Sequence, residues 1–184
     1  MKMLSKEERK SLLNLARDTI QAKLHEGRSP EFHTESSVLL EPRGAFVTLH
    51  KHGALRGCIG YVEAIKPLYK TVRDMAIAAA FQDPRFPGLT EDEYNDIDIE
   101  ISVMSPLEKI TDVNKIEVGK HGIIIKSGFN SGLLLPQVAT EQGWDRDTFL
   151  EHTCYKAGLP GNSWKRPGIE ILIFSAEVFS EKAY

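Results

Sequence analysis

The stretch AFVTLHKHGALRGCIG, residues 45–60, decides how the first half of the chain folds. Two runs with alternating apolar residues flank the turn residues KHG, and this pattern predicts two antiparallel strands joined by a tight turn. The second strand holds Gly57 and Gly60 on either side of Cys58. The hairpin therefore presents either a reactive thiol in an open stretch of strand or a cysteine that only packs.

Helices and a further strand surround the hairpin. Apolar residues recur at helical spacing in residues 5–26, and Ser5 with Glu8 makes the capping box that begins this N-terminal helix. Residues 67–82 predict a second helix, which the prolines of the following segment end. The alternation of IDIEISVMS, residues 97–105, predicts a half-buried strand.

The second half of the chain repeats the order hairpin, helix, strand. Residues 121–136 predict a hairpin with a glycine-rich turn, Asp145 caps a helix that ends at Gly158, and residues 169–179 predict a closing strand. We therefore predict an α+β fold, in which two hairpin–helix–strand units form two unequal halves with a groove between them, plus the N-terminal helix. The expected boundaries are a single domain over residues 1–184, with halves at about 44–110 and 111–184.

The composition argues against several classes of function. The 184 residues carry a net charge of −3, with basic residues spread along the chain, so nucleic-acid binding through a broad basic surface is disfavoured. No apolar run is long enough for a signal peptide or a membrane span, and we expect a cytoplasmic protein without a membrane partner. The two cysteines are too few for a disulfide scaffold. Because zinc-ligand spacing and nucleotide-binding glycine motifs are missing, we expect neither a metal nor a cofactor.

Cys58 is the candidate catalytic residue. In a regular strand alternate side chains share a face, so the guanidinium of Arg56 would lie beside the sulfur of Cys58. A nearby cation increases the fraction of thiolate, which is the nucleophilic form of cysteine. Gly57 and Gly60 would let a ligand approach the backbone. The alternative is structural, because free cysteines usually pack as small hydrophobes and strand glycines often serve packing alone.

Two further segments supply candidate binding residues. The loop DPRFPG, residues 83–88, is stiffened by two prolines and displays Asp83 and Arg85, which suits recognition of a carboxylate or another anion. Alternatively, these two side chains pair with each other or cap a helix. Trp144 in the segment EQGWDRD is a candidate groove wall, although a tryptophan beside a helix start is more often a core anchor. The predicted substrate-binding residues are thus Arg56, Gly57, Gly60, Asp83, Arg85 and Trp144.

Three ordered motifs make the chain resemble the AMMECR-type domain family. They are LRGCIG at residues 55–60, D-x-R-F-P at residues 83–87 and LP-x-VA-x-EQGWD at residues 135–145. The resemblance implies an α+β fold with two unequal halves, and it favours a functional thiol because the first motif contains Cys58. Prokaryotic members are labelled protein A of the AmmeMemoRadiSam system, which implies work beside a Memo-like protein and a radical-SAM enzyme.

These observations lead to two hypotheses. In the first, the protein is a cytosolic enzyme or ligand-processing domain in which Cys58 is a nucleophile or redox-active thiol. Arg56 and Arg85 would then hold the anionic group of a small substrate in the groove between the halves. In the second, the protein is a non-catalytic interaction module of the same system, Cys58 only packs, and the motif loops form an interface. The reactivity of the thiol at neutral pH distinguishes the two hypotheses.

Overall fold

The chain forms two units in the computed structural model, which describes residues 3–25 and 27–184. The first unit contains the described residues up to Met104 together with Glu177–Tyr184, and the second contains Ser105–Ala176. Both units combine helices with antiparallel strands, so the predicted α+β class is confirmed.

The N-terminal helix begins where the capping box predicts it. Helix α1 spans Lys6–Leu24. The Ser5 hydroxyl accepts a hydrogen bond from the Glu8 amide at 3.1 Å, and the Glu8 carboxylate accepts one from the Ser5 amide at 2.7 Å. These bonds and the range of α1 confirm the predicted N-terminal helix. Glu26, the last residue of that prediction, lies outside the described residues.

The first unit contains the predicted hairpin, helix and strand. After α1 its elements are α2 (Ser37–Leu40), β1 (Ala45–Lys51), β2 (Ala54–Tyr61), α3 (Leu68–Phe81), a 3₁₀ turn (Glu91–Asp96) and β3 (Ile97–Met104). β1 pairs antiparallel with β2 on one side and with β3 on the other, which gives the strand order β2–β1–β3. His52 and Gly53 at the hairpin turn have φ angles of 52° and 82°, the left-handed conformation that a tight hairpin turn requires.

The sheet of the first unit has one face in the core and one face outside it. Val47 and Leu49 of β1, with Ile99 and Ile101 of β3, are fully buried in the cluster that α1 and α3 complete. The intervening side chains are half-buried, as the alternation predicts. We call this second surface the outer face. It comprises Phe46, Thr48 and His50 of β1, Leu55, Cys58 and Gly60 of β2, and Asp98, Glu100 and Ser102 of β3.

Two carboxylates tie the C-terminal segment to the first unit. Glu177 is buried and accepts hydrogen bonds from the Arg9 guanidinium at 2.8 Å and from the Leu4 amide at 3.3 Å. Glu181 pairs with Arg17 and also accepts a hydrogen bond at 2.8 Å from a backbone amide of β3. The first helix and the last residues of the chain are thereby held on the same unit.

The second unit is built around a separate apolar cluster. Its elements are β4 (Glu108–Ile110), a 3₁₀ turn (Val113–Lys115), β5 (His121–Ser127), β6 (Asn130–Leu134), α4 (Pro136–Gln142), α5 (Arg146–Lys156), a second 3₁₀ turn (Gly161–Lys165) and the greater part of β7 (Glu170–Ser180). β5 pairs antiparallel with β6 and β7, and β4 pairs with β7. Ile123, Ile125, Phe149 and Leu150 are fully buried in this cluster. The sequence predicts this hairpin, helix and strand but misses β4, because three residues are too few to show a period.

Replacing Glu177 by glutamine should destabilise the protein. Glu177→Gln keeps the size of the side chain but removes the charge-assisted hydrogen bonds of a buried carboxylate, so we expect the free energy of unfolding to fall by about 1–3 kcal/mol. Urea denaturation at pH 7, followed by circular dichroism, measures the change. The control is Glu63→Gln at an exposed site, which should stay within about 0.5 kcal/mol of the parent. Equal effects in the two variants would contradict the anchoring role of Glu177.

Candidate functional site

The strand that carries the LRGCIG motif is irregular at Arg56. The register of β2 against β1 shifts by one residue there, which is a β-bulge. A regular register would place Cys58 opposite Val47 on the core side, whereas the extra residue places it opposite Thr48 on the outer face. Arg56 is itself the extra residue, without a partner on β1, and its side chain is buried against Glu93. The prediction that Arg56 and Cys58 share a face is therefore wrong, because the alternation on which it depends is broken between them.

The guanidinium of Arg56 is committed to an ion pair within the unit. Its Nε and Nη2 atoms donate to the two carboxylate oxygens of Glu93 at 3.0 and 2.8 Å, and Lys51 donates to the same carboxylate at 3.0 Å. Only 9% of the Arg56 side chain and 18% of the Glu93 side chain are exposed. The Arg56 guanidinium holds the pKa of Glu93 well below its usual range. A cation that is buried and already paired bidentately argues against the predicted contact of Arg56 with a substrate anion.

The DPRFPG loop closes the edge of β2 at Cys58. The Asp83 carboxylate accepts a hydrogen bond from the Cys58 amide at 2.9 Å, and Arg85 Nη2 donates to the Cys58 carbonyl at 3.4 Å. Arg85 also grips Asp83 through Nε and Nη2 at 3.0 and 2.8 Å, and these bonds hold the pKa of Asp83 well below its usual range. Asp83 is buried, but 54% of the Arg85 side chain is exposed. The two charges pair with each other, which is the alternative that the sequence left open, and Arg85 still reaches solvent.

The two glycines of the motif are required by packing inside the unit. A Cβ atom at Gly57 would lie 2.1 Å from the carbonyl oxygen of Ala79 in α3. A Cβ atom at Gly60 would lie 2.4 Å from the Phe46 side chain. Protein atoms already fill this space, so the prediction that Gly57 and Gly60 open the backbone to a ligand is wrong. The absence of a side chain instead lets α3 approach Gly57 closely and lets β1 approach Gly60.

The Cys58 side chain lies on the outer face beside a hydroxyl group. It is half-buried, and the Thr48 hydroxyl donates to the Cys58 sulfur at an Oγ1–Sγ distance of 3.1 Å. The guanidinium of Arg85 lies close to this residue, since it donates to the Cys58 carbonyl. His50 is the next outer-face residue of β1 after Thr48, and it is a diagonal neighbour of Cys58. The sequence misses Thr48 because counting pairs from the turn, without the bulge, assigns Cys58 a different partner.

The remaining candidates belong to the second unit. Cys154 is fully buried in its cluster, and burial raises the pKa of its thiol. Trp144 packs against the same cluster and stacks on His152 with a centroid distance of 3.9 Å. Asp145 caps α5 by accepting a hydrogen bond from a backbone amide at 2.8 Å, as predicted. These contacts match the reading of Trp144 as a core anchor.

The described residues contain neither a metal-ligand cluster nor a helix that could span a membrane. Across residues 3–25 and 27–184, no three His, Cys, Asp or Glu side chains lie together as a metal site would require. Among the helices of this same part of the chain, none is long and apolar enough to cross a membrane.

Comparison with known proteins gives one consistent result. The family model described as AMMECR1 matches residues 13–179. Protein MK0488 of Methanopyrus kandleri is 47% identical over 188 aligned residues, covering 97% of this chain and 91% of the relative. Protein MJ0810 of Methanocaldococcus jannaschii is 42% identical, with 98% and 94% covered. The crystal structure titled as uncharacterized protein PH0010 from Pyrococcus horikoshii is 41% identical, with a TM-score of 0.81 over 93% of this chain and 90% of that one.

Adding a methyl group at Gly57 should destabilise the fold. In Gly57→Ala the new Cβ would clash with the Ala79 carbonyl oxygen, and we expect a loss of about 1–3 kcal/mol in the free energy of unfolding. The matched control is Gly88→Ala, whose Cβ would meet only Phe81 at 3.8 Å, an ordinary contact. Urea denaturation compares the two variants. If Gly57→Ala is as stable as Gly88→Ala, the space at Gly57 is open to a ligand after all.

The Arg56–Glu93 pair should make stability depend on pH. Because the folded pKa of Glu93 is lowered, the pair stabilises the native state above the unfolded pKa of about 4, and this stabilisation is lost as the pH falls toward the folded pKa. Glu93→Gln should therefore lower the free energy of unfolding by about 3 kcal/mol at pH 7. At pH 3 its deficit should be about 1 kcal/mol smaller. Denaturation of parent and variant at both pH values checks this, and a deficit that does not change with pH would refute it.

Proposed function

The chain belongs to the AMMECR1 family, and on that premise we propose that it is a thiol-dependent enzyme that acts on a small anionic substrate through Cys58. The observation that carries this proposal is the surroundings of the thiol. Its backbone is held by Asp83 and Arg85, while its sulfur lies on the outer face beside the Thr48 hydroxyl. A hydrogen-bond donor such as the Thr48 hydroxyl and a half-exposed cation such as Arg85 are groups that stabilise a thiolate, and a cysteine that only packs does not require them.

Each of these residues has a distinct role in the proposal. Cys58 supplies the attacking sulfur, and the Thr48 hydroxyl stabilises the thiolate by donating a hydrogen bond to it. Arg85 attracts the anionic group of the substrate through the exposed side of its guanidinium. Asp83 is a positioning residue, because it fixes both the Cys58 amide and Arg85. We do not retain Arg56 as a substrate contact, since Glu93 already neutralises it.

The family resemblance supplies a setting for this activity. We propose that the protein works in the cytoplasm beside a Memo-like protein and a radical-SAM enzyme, as the AmmeMemoRadiSam name implies. Within that setting the Cys58 thiol would act on a small metabolite or on a chemical group that a partner protein transfers to it.

One observation favours a second candidate, the non-catalytic interaction module. Three residues of the LRGCIG and DPRFPG segments are engaged inside the first unit: Arg56 pairs with Glu93, Asp83 pairs with Arg85, and Gly57 packs closely on α3. In this alternative Cys58 also belongs to the packing, and the loop from residue 83 to residue 88 contacts a partner protein.

The two thiols should differ in reactivity if Cys58 is functional. We expect iodoacetamide to modify Cys58 about tenfold or more faster than Cys154 at pH 7, because Cys58 is half-exposed whereas Cys154 is fully buried. Quantitative mass spectrometry of partially labelled native protein gives both rates. Thr48→Val, which removes the donor but keeps the shape, should slow labelling of Cys58 several-fold. Faster labelling of Cys154 would show that the proposed site contains the wrong cysteine.

Substitution of Cys58 separates the enzyme from the module. If Cys58 is the nucleophile, Cys58→Ala and Cys58→Ser should remain folded but fail to restore function in cells that lack the native protein and contain the partner proteins. Cys154→Ala is the matched control, which should lose stability by about 1 kcal/mol or more through its core cavity but retain function. Melting curves and complementation are measured for all three variants. Normal complementation by folded Cys58→Ala would leave the interaction module as the better explanation.

A further inference from the structure

A concavity of about 220 Å³ opens on the outer face beside the strand row that contains Cys58. All of its lining residues belong to the first unit. The lining combines the first half of β3 with the end of β1, the hairpin turn and the C-terminal segment. It consists of His50, Gly53, Asp98, Ile99, Glu100, Ser180 and Lys182.

The charge of this concavity is carried by Glu100. Lys182 Nζ pairs with Asp98 at 2.8 Å, so these two charges offset each other. The Glu100 carboxylate is half-buried, and within residues 3–25 and 27–184 it has neither a hydrogen-bond partner nor an ion-pair partner. His50 lines the same wall and also lacks such a partner in the described chain. The concavity therefore presents an unneutralised carboxylate, which favours a cation.

Strand register connects this carboxylate to the thiol. Thr48 lies opposite Cys58 on one side and opposite Glu100 on the other, so the three residues form one row across β2, β1 and β3. Neighbouring strands are about 4.8 Å apart, which puts the Cα atoms of Cys58 and Glu100 about 10 Å apart. A molecule whose reacting atom lies at the sulfur can thus extend along this row and place a second group in the concavity.

We infer that the substrate of Cys58 carries a cationic group, such as a primary amine, that binds at Glu100 about 10 Å from the reacting atom. The inference rests on the proposed function and narrows its substrate class. An anionic group at Arg85 and a cationic group at Glu100 together describe a zwitterionic molecule, with the electrophilic centre between the two charges. Asp98 and Lys182 line the concavity and neutralise each other, so its net negative charge comes from Glu100.

Thiol reagents with an amine on a variable spacer test this inference. In each reaction the thiolate of Cys58 attacks the thiosulfonate sulfur of an alkyl methanethiosulfonate, methanesulfinate leaves, and a mixed disulfide forms. One series carries a terminal amine on two, four, six or eight methylene groups, and the matched series ends in a methyl group. Rates of modification at Cys58 are measured on the full chain by peptide mass spectrometry. The quantity compared is the ratio of the amine rate to the neutral rate at each spacer length.

We expect this ratio to be largest for the longer spacers, which can span the row to Glu100. Glu100→Gln should lower the ratio about threefold or more at those lengths. Any effect of the substitution on the thiolate fraction of Cys58 changes the amine and neutral rates alike and cancels in the ratio. Raising the salt concentration should weaken the preference in the parent protein. The matched control is Glu35→Gln, which removes one exposed charge from the segment whose Phe32 stacks on Tyr69 of α3, away from the outer face.

The outcomes distinguish failure of the cationic substrate from failure of the reactive thiol. If Cys58 reacts but the amine preference is absent, independent of spacer length or equal in Glu100→Gln and Glu35→Gln, the cationic substrate is wrong while the reactive thiol stands. If Cys58 of the folded protein resists both series at every length, the proposed function fails, and the inference fails with it.

Discussion

The Asp83 carboxylate is the group on which the geometry of the candidate site depends. β2 is an edge strand, and an edge strand leaves amide and carbonyl groups without partners. At Cys58 the side chains of Asp83 and Arg85 take the place of a neighbouring strand, one accepting from the amide and the other donating to the carbonyl. Burial of a carboxylate is tolerated only because the guanidinium and two amides compensate it. The backbone at Cys58 is thus fixed while its sulfur remains on the outer face.

The two arginines of the motifs show how the same residue type acquires different roles. Arg56 enters a buried bidentate pair that joins the strand to the 3₁₀ turn, so its charge is used for cohesion of the unit. Arg85 also has a carboxylate partner, but more than half of its side chain faces solvent. The bulge at Arg56 separates them, because it turns the thiol away from the Arg56 guanidinium, whereas Arg85 donates to the Cys58 carbonyl. Proximity along the sequence was therefore a poor guide to proximity in space.

Local patterns predicted most of the architecture but little of the site. The capping box at Ser5, the alternation of β3 and the hairpin turn at Gly53 each depend on a few neighbouring residues, and each lies where the sequence places it. The direction of the Cys58 side chain depends on a single inserted residue, and close packing of Gly57 on α3 accompanies that insertion. The sequence marks Glu93 only as part of a short capped turn, because its pairing with Arg56 joins residues 37 positions apart. Contacts between residues so far apart produce no periodic pattern in the sequence from which they could be predicted.

The anchoring of the C-terminal segment also sets an order in time. During translation, Arg9 and Arg17 emerge from the ribosome long before Glu177 and Glu181, which follow them by 168 and 164 residues. The second unit, by contrast, is a continuous stretch from Ser105 to Ala176. Nascent domains fold as their residues become available. The later-encoded unit can therefore be complete outside the ribosome before the first unit is, and Arg9 and Arg17 of the N-terminal helix find their carboxylate partners only after Glu177 and Glu181 have been translated.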